Sequence, residues 1–289
     1  MPVAARCSCV RESRDSLSQP RAVCDNVAAI CAHLQQHQQQ HSAASSTSLQ
    51  VVSPLTDACS CATVAPHFVV DTSGGHWRCT RFVEGSVSLE VISSTALATS
   101  VAAAFGHFSS CMRSFTGSLV DTIPGFHHTP RRLEAWQHAY ESCSLPDRLL
   151  ASQHYVAFVR ERSARAGELV DAMRSGRIPT SVSHNDAKIG NVLLKQGDHS
   201  FMCIIDFDTT MPGTPLYDFG DLCRTAVPGC EEDEPQLQRI ELRLDMFRAL
   251  TRGFIQGCGG CLAQAEAELL CTAVWTITFE QGAAVKTTT

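Results

Sequence analysis

The chain has 289 residues, of which 44% are apolar, enough for one large domain or for two lobes with a buried core. Its formal net charge is −6 without a long basic run, which argues against nucleic acid as a partner. No run of about 18 apolar residues occurs, so we expect no membrane span.

Cysteine is frequent in this chain, with 15 residues spread from Cys7 to Cys271. The number is odd and no N-x-S/T glycosylation site accompanies it, so we expect free thiols in a reducing compartment and a cytoplasmic location. Cys258-Gly-Gly-Cys261 has the spacing of a pair of metal ligands. A zinc site needs a second pair, and only Cys271 is close in sequence, so zinc is the less favoured interpretation.

Residues 1–84 predict a small lobe built from a sheet and one helix. Apolar residues recur at helical spacing over 22–33, and the glutamine-rich segment at about 34–48 is interpreted as a flexible low-complexity insert. The hairpin signal Thr72-Ser-Gly-Gly75 separates two apolar segments. Strands are predicted over 49–55, 67–71 and 76–83.

Residues 85–289 predict a larger lobe that is mostly helical. Thr129-Pro130 supplies an N-cap and a first-turn proline, and Gly176 is a natural C-terminal stop. Helices are predicted over 91–115, 131–142, about 147–175, about 235–256 and about 263–283, and short strands near 192–194 and 201–205. The whole chain therefore predicts a bilobal α+β fold, and ligands commonly bind between such lobes.

One stretch has a pattern suited to phosphoryl transfer: His184-x-Asp186-x4-Asn191, followed by Asp206-Phe207-Asp208. This reaction needs a base that orients the attacking hydroxyl, and metal ions that neutralise the phosphate oxygens. Asp186 is the candidate base, and Asn191 and Asp206 carry oxygen ligands of the kind that Mg²⁺ prefers. A hairpin between them returns its two ends to one side. The alternative is a loop of turn-forming Asp and Asn residues.

His-x-Asp-x4-Asn followed by Ile-Asp-x-Asp resembles the aminoglycoside phosphotransferase and choline kinase-like family, which has the protein-kinase-like fold. Within that family the chain is most similar to the N-acetylhexosamine 1-kinases, which use ATP to phosphorylate the anomeric hydroxyl of an N-acetylhexosamine. The likeness extends over roughly residues 20–285. It includes HWRCTRFVEG (76–85), TIPGFHHTPRR (122–132), HNDAKIGNVLL (184–194) and IDFDTTMPGTPLYDFGD (205–221).

The resemblance implies a role for each polar residue of the motif. Asp186 would be the catalytic base, while Asn191 and Asp206 would hold Mg²⁺ together with the phosphates of ATP. Asp208 would touch a second metal ion or the substrate, or would be a hydrogen-bonded turn carboxylate. Lys188 would steady the transferring phosphate, with a solvated lysine as the alternative.

Other residues would support the site or bind the nucleotide. His184 would brace the catalytic loop, and Asp218 would buttress it by accepting backbone N–H bonds. Phe82 and Glu84 would belong to the hinge between the lobes, Arg81–Glu84, whose backbone would pair with adenine.

The sequence departs from the family pattern at both ends. The first glycine is Gly74, so no Gly-rich loop precedes the predicted strands, and the first lysine is Lys188. Arg11 lies about where the family has its strand lysine, and the opening strand pair of the lobe has no counterpart. Ala284 stands at the position of an arginine that helps to hold the sugar. A truncated gene model, a degenerate pseudokinase and an enzyme with a changed substrate are the three interpretations.

The resulting expectation is ATP- and Mg²⁺-dependent phosphorylation of a hydroxyl on a small molecule, an N-acetylhexosamine above others. A nucleotide-binding pseudokinase is the first alternative. The second is a kinase of another small alcohol, such as an aminoglycoside, choline or a homoserine-like compound. A small-molecule substrate is the expected partner, and neither nucleic acid nor membrane is.

Overall fold

Antiparallel pairing organises the strands near the start of the chain. The computed structural model describes residues 7–11, 19–41, 63–65, 68–73 and 75–288. Its first sheet has the order β1-β4-β3-β2, and Cys9 of β1 lies opposite Cys79 of β4. These strands are β1 (Cys7–Arg11), β2 (Thr63–Ala65), β3 (Phe68–Val70) and β4 (His76–Arg81).

The predicted hairpin joins β3 to β4, and the carboxylate of Asp71 holds its turn. This carboxylate accepts hydrogen bonds from the backbone N–H groups of Ser73 and Gly75, each at 2.8 Å. It also accepts from Trp77 Nε1 at 2.7 Å. Hydrogen bonds from Ser73, Trp77 and Gly75 keep the pKa of Asp71 well below its usual range. The predicted strand 49–55 lies outside the described residues.

Helix α1 (Pro20–His41) is longer than the sequence pattern predicted. Residues 34–41 continue the helix, so the prediction of a flexible insert is wrong for them, and 42–48 lie outside the described residues. Leu34 is only 3% exposed and extends the buried stripe formed by Val27 and Ile30. Glutamine is a favourable helix former, and burial of Leu34 stabilises the extra turns.

Eight further helices pack around two small sheets in the described remainder of the chain. The sheets have the orders β5-β7-β8 and β6-β9. The strands are β5 (Ser86–Val87), β6 (Ser181–Ser183), β7 (Val192–Lys195), β8 (Phe201–Ile204) and β9 (Met211–Gly213). The helices are α2 (Thr95–Met112), α3 (Thr129–Glu141), α4 (Pro146–Arg162), α5 (Glu168–Arg174), α6 (Pro215–Ala226), α7 (Leu244–Cys258), α8 (Gln264–Glu268) and α9 (Leu270–Thr288).

None of the helices within the described ranges is both long and apolar enough to cross a membrane. Strand β5 pairs with β7, so the chain joins the second sheet directly after residue 85. The division of the chain into lobes at residue 84 stays a prediction.

Two predicted helices are shorter than expected. The helix predicted over 147–175 breaks between Arg162 and Glu168. The one predicted from 235 begins only at Leu244, and Leu237 and Leu242 before it are 71% and 74% exposed. Without burial of those apolar side chains, local propensity does not sustain a helix.

The predicted N-cap of α3 is also wrong. His128 caps this helix, because its Nδ1 accepts from the backbone N–H of Arg131 at 3.3 Å. Thr129 is the first helical residue, and its hydroxyl instead donates to Glu280 Oε2 at 2.6 Å. A long-range hydrogen bond thus takes the side chain that the local pattern assigned to capping.

Helices α2 and α7 make the most extensive helix–helix contact among the described helices, and glycines let their backbones touch. A Cβ atom on Gly253 would collide with the backbone of Thr99, and one on Gly106 would collide with the carbonyl oxygen of Phe254. Since backbone meets backbone at these points, no side chain can rotate away to make room.

Gly253→Ala is expected to destabilise the protein by about 1–3 kcal/mol, because the extra methyl group overpacks the α2–α7 contact. Gly282→Ala in α9 is the matched control, since a Cβ there meets no atom within 4 Å. This control should be neutral or slightly stabilising. Urea unfolding followed by circular dichroism measures both variants, and an equal midpoint for the two would contradict the packing described here.

Candidate active site

A buried carboxylate holds the loop that follows β6. Asp218 lies in the first turn of α6 and is 0% exposed. Its Oδ1 accepts hydrogen bonds from Ser183 Oγ at 2.7 Å and from the N–H of Asn185 at 2.8 Å. Its Oδ2 accepts from the N–H of His184 at 3.0 Å. Burial raises the pKa of Asp218, while His184 and these donors oppose the rise.

The ring of His184 connects this loop to the hairpin that follows it. Nε2 lies 3.0 Å from the carbonyl oxygen of Ile205, and the N–H of Asp186 donates to Nδ1 at 3.4 Å. An imidazole with its proton on Nε2 satisfies both contacts. Three aromatic rings pack around it: Phe105, Phe108 and Phe207.

Asp186 and Asn191 are hydrogen-bonded to each other across the loop. Asn191 Nδ2 donates to the backbone oxygen and to Oδ2 of Asp186, both at 2.8 Å. Lys188 Nζ lies 3.3 Å from the same Oδ2. Asp186 Oδ1 makes no hydrogen bond with a described residue, so the carboxylate keeps one oxygen for another partner.

Asp206 arrives at the same place from the end of the β7–β8 hairpin. The N–H of Ile205 donates to the carbonyl oxygen of Asn191 at 2.9 Å, which closes the hairpin. Asp206 then adopts a left-handed conformation, with φ 63° and ψ 64°. A non-glycine residue in this region is uncommon and often marks a functional site. Burial raises the pKa of Asp206, and the nearby carboxylates of Asp208 and Asp186 raise it further.

The donor atoms suit a hard cation. Asp206 offers a carboxylate oxygen and Asn191 an amide oxygen. Burial raises the pKa of Asp206 and the nearby carboxylates of Asp208 and Asp186 raise it further, so negative charge is in excess here. Over the described ranges, no group of three or more His, Cys, Asp or Glu side chains is arranged to hold a metal ion. Mg²⁺ in phosphoryl-transfer sites typically binds one or two protein ligands together with substrate phosphates.

The structure gives Asp208 a partner that sequence reasoning missed. Arg78 Nη2 lies 2.5 Å from Asp208 Oδ2, and the two side chains are 9% and 20% exposed. Arg78 comes from the middle of β4, 130 residues earlier in the chain. An arginine inside a predicted strand was the available signal, but nothing local indicates its partner.

Two of the predicted nucleotide-binding residues, Phe82 and Glu84, lie on the connection after β4. Phe82 is 44% exposed, and Glu84 is exposed as well. The carbonyl oxygen of Val83 between them accepts from Ser86 Oγ at 2.7 Å. Arg11 pairs in register with Trp77, next to Arg78, and its predicted role as a substitute cation stays a prediction.

A second buried network, also missed from the sequence, braces the loop from the side of α9. His127 Nε2 lies 3.1 Å from the carbonyl oxygen of Asn185, and its Nδ1 lies 2.8 Å from Glu280 Oε1. Glu280 is 0% exposed and also accepts from Thr129. Asn185 has a left-handed backbone at φ 66°, and its amide donates to the carbonyl oxygen of Thr209 at 2.9 Å.

A cavity of about 340 Å³ opens beside this network. Asn185, His127 and Tyr217 are among its lining residues, whereas Asp186 is not. Because the candidate base does not reach it, we do not assign this cavity to the reacting groups.

Several solved structures are similar to this chain in fold. An aminopropanol kinase associated with a microcompartment is 15% identical, with a TM-score of 0.57 over 99% of this chain and 79% of that one. An aminoglycoside phosphotransferase from Alicyclobacillus acidocaldarius is 14% identical, with a TM-score of 0.54 over 98% and 82%. One from Streptomyces rimosus, solved with ADP and streptomycin, is 14% identical, with a TM-score of 0.54 over 96% and 86%.

At these identities the structural likeness establishes the fold alone, and the predicted bilobal, kinase-like α+β fold is confirmed. The family is established separately by the sequence. Residues 9–250 match the sequence model of the phosphotransferase enzyme family. Since that match covers most of its length, this chain belongs to the phosphotransferase enzyme family, whose members transfer phosphate to hydroxyl acceptors.

Proposed function

We propose that this phosphotransferase moves the γ-phosphate of ATP to a hydroxyl group of an N-acetylhexosamine. The observation that carries the proposal is the hydrogen-bonded pair of Asp186 and Asn191, together with Asp206, which lies close enough to feel the charge of Asp186. Positioning and charge stabilisation account for most of the catalysis of phosphoryl transfer, so such a preorganised set is what the reaction requires.

Asp186 would act on the acceptor. Its Oδ2 is held by Asn191 and Lys188, which leaves Oδ1 to orient the substrate hydroxyl and to accept its proton. The acceptor oxygen forms a bond to the γ-phosphorus as the bond between that phosphorus and the oxygen of the ADP leaving group breaks.

Asn191 and Asp206 are the residues that would hold Mg²⁺. When bound, the ion would neutralise charge on the phosphate oxygens. Asp208, predicted as a further ligand, is paired with Arg78 and would instead orient that guanidinium. Two ligands remain for the ion, in keeping with its usual mode of binding.

Arg78 and Lys188 would supply the positive charge that the family takes from a strand lysine. No lysine precedes Lys188 in the sequence, and Arg78 is a buried cation of the first sheet. Burial acts to lower the pKa of Lys188, but the carboxylates of Asp186, Glu232 and Asp221 raise it overall, so Lys188 is charged at neutral pH.

The choice of acceptor rests on the resemblance of the segments around the site. One of them, residues 122–132, contains His127, which contacts the catalytic loop at Asn185. Amino alcohols and aminoglycosides are the comparison substrates, because solved structures similar to this chain include kinases named for them.

A nucleotide-binding protein without turnover is the second candidate function. The ion pair between Arg78 and Asp208 favours it. Asp208 was predicted to hold a metal ion and Arg78 is a candidate cation for the phosphates, and here the two side chains bind each other instead. Thermal shift with ATP and Mg²⁺, followed by assay of ADP formation, distinguishes the two. Stabilisation without turnover on any acceptor would select this second function.

The acceptor is tested with a substrate panel. N-acetylglucosamine and N-acetylgalactosamine should give ADP at a higher kcat/KM than streptomycin, choline, homoserine or aminopropanol. A phosphorylated product from one of the other alcohols alone would reject the hexosamine assignment while keeping the kinase assignment.

Asp186→Asn is expected to lower kcat by about 10²–10⁴-fold, since the substitution removes the proton acceptor but keeps the shape of the side chain. Asp233→Asn, at an exposed position, is the control and should retain full activity. Coupled measurement of ADP release tests both variants, with circular dichroism to compare their folds. An unchanged kcat for Asp186→Asn would rule out its role as base.

Arg78→Ala is expected to raise KM for ATP by about 10–100-fold, because one or two charge-assisted hydrogen bonds are lost. Arg78→Lys should recover part of this loss, since it restores the charge without the planar fork. Arg252→Ala, at an exposed position in α7, is the control. Equal KM values for Arg78→Ala and Arg252→Ala would contradict a phosphate-binding role.

A further inference from the structure

We propose that Cys258 and Cys261 form a redox-active dithiol at the end of α7, in which Cys261 is the nucleophile and Cys258 the resolving thiol. Neither residue takes part in the proposed phosphoryl transfer. Both are free cysteines, and no set of three metal-ligating side chains surrounds them in the part of the chain that is described. The zinc interpretation of this pair stays the less favoured one.

A tight turn brings the two cysteines together. The N–H of Cys261 donates to the carbonyl oxygen of Cys258 at 2.9 Å. Gly259 has φ 57° and ψ 30°, and Gly260 has φ 86°, so both central residues occupy the left-handed region as in a type I′ turn. Only glycine adopts these conformations without strain, which accounts for Cys-Gly-Gly-Cys. Such a turn keeps the end Cα atoms within about 7 Å, in the range that a disulfide spans.

The two thiols differ in environment in the way that a reactive pair requires. Cys258 is 0% exposed, whereas Cys261 is partly exposed. The two thiols lie close enough for each to shift the pKa of the other. A reagent from solvent therefore meets Cys261 first, and Cys258 lies directly behind it.

A guanidinium next to Cys261 favours its thiolate. Arg113 Nη2 lies 2.6 Å from both carboxylate oxygens of the buried Glu266, which holds the side chain in place. Arg113 Nε is buried and makes no hydrogen bond of its own among the described groups. The same guanidinium lies close enough to Cys261 to lower the pKa of its thiol.

The thiol acidities follow from these contacts. The neighbouring Cys258 thiol, with Arg113 and Ser110 adding to its effect, lowers the pKa of Cys261 below the usual range of a thiol. The Cys261 thiol and burial raise the pKa of Cys258. The remaining titratable neighbours are Glu266 and Cys111, and burial raises the pKa of the Cys111 thiol to about 11.

The oxidant of this cysteine pair is a small disulfide, such as oxidised glutathione. The Cys261 thiolate attacks one of its sulfur atoms, which forms a mixed disulfide and releases one glutathione thiolate. The Cys258 sulfur then attacks the Cys261 sulfur, and the bond between Cys261 and glutathione breaks. The proton of the Cys258 thiol passes to the departing glutathione sulfur, so the second glutathione leaves as a thiol. Two electrons pass from the cysteine pair to glutathione, and reduced glutathione reverses both steps.

The test is a titration of the full chain in glutathione redox buffers, followed by acid quenching and peptide mapping. Trypsin cleavage after Arg252 and Lys286 releases one peptide that contains Cys258, Cys261 and Cys271. Further cleavage after Glu266 or Glu268 separates Cys271 from the pair. We expect a reversible disulfide between Cys258 and Cys261, and a stable glutathione adduct on Cys261 in the Cys258→Ser variant.

The rate of iodoacetamide alkylation at Cys261 should rise with a midpoint well below the value of about 8.5 for an unperturbed thiol, because the Cys258 thiol and Arg113 favour the Cys261 thiolate. N-acetylcysteine serves as the reference thiol, and Cys271→Ser, at an exposed position in α9, should form the same disulfide as the wild type. A midpoint equal to that of the reference would overturn the proposal. So would the absence of the Cys258–Cys261 disulfide at every glutathione ratio, or a disulfide to Cys111 in its place.

Discussion

The buried carboxylate of Asp218 is the interaction on which the candidate site depends. It accepts hydrogen bonds from Ser183 and from the backbone of His184 and Asn185, so it determines the path of the chain that leads to Asp186. Its position in the first turn of α6 is favourable for a negative charge, because the N-terminal end of a helix carries a partial positive charge. A buried carboxylate without these donors would be strongly destabilising, so the loop and α6 hold each other in place.

The same loop is tied to the largest core of the molecule through His184. Its ring packs against Phe105 and Phe108 of α2, and α2 is pressed against α7 at Gly253. The backbones of the two helices touch directly, so these helices have little freedom to shift. A change of side-chain rotamer could not make room for such a movement. The residues proposed for catalysis thus lie on a short loop whose support is a rigid helix pair.

The charged groups of the site come from two parts of the chain, the first sheet and the loop and hairpin after β6. Burial raises the pKa of Asp206, and the carboxylates of Asp208 and Asp186 lie close enough to raise it further. Lys188 from the loop and Arg78 from the first sheet oppose them. An arginine is always charged, so Arg78 brings a permanent positive charge beside Asp208. This arrangement differs from a strand lysine in origin but supplies the same sign of charge.

The amino-acid sequence by itself determined the family, the helical stripe of α1 and the spacing that sets Asp186, Asn191 and Asp206 around one loop and hairpin. These features are local, because a turn, a helix face or a hairpin depends on residues a few positions apart. The sequence did not reveal the final turns of α1, because burial of Leu34 is what keeps residues 34–41 helical.

Only the tertiary structure decided which distant groups meet. Arg78 reaches Asp208 across 130 residues, and His127 reaches Glu280 across 153. The helix predicted from 235 failed for the opposite reason, since Leu237 and Leu242 find no core to pack against. Such contacts follow from how whole elements pack, and a pattern of neighbouring residues contains no information on a partner that arrives from another part of the fold.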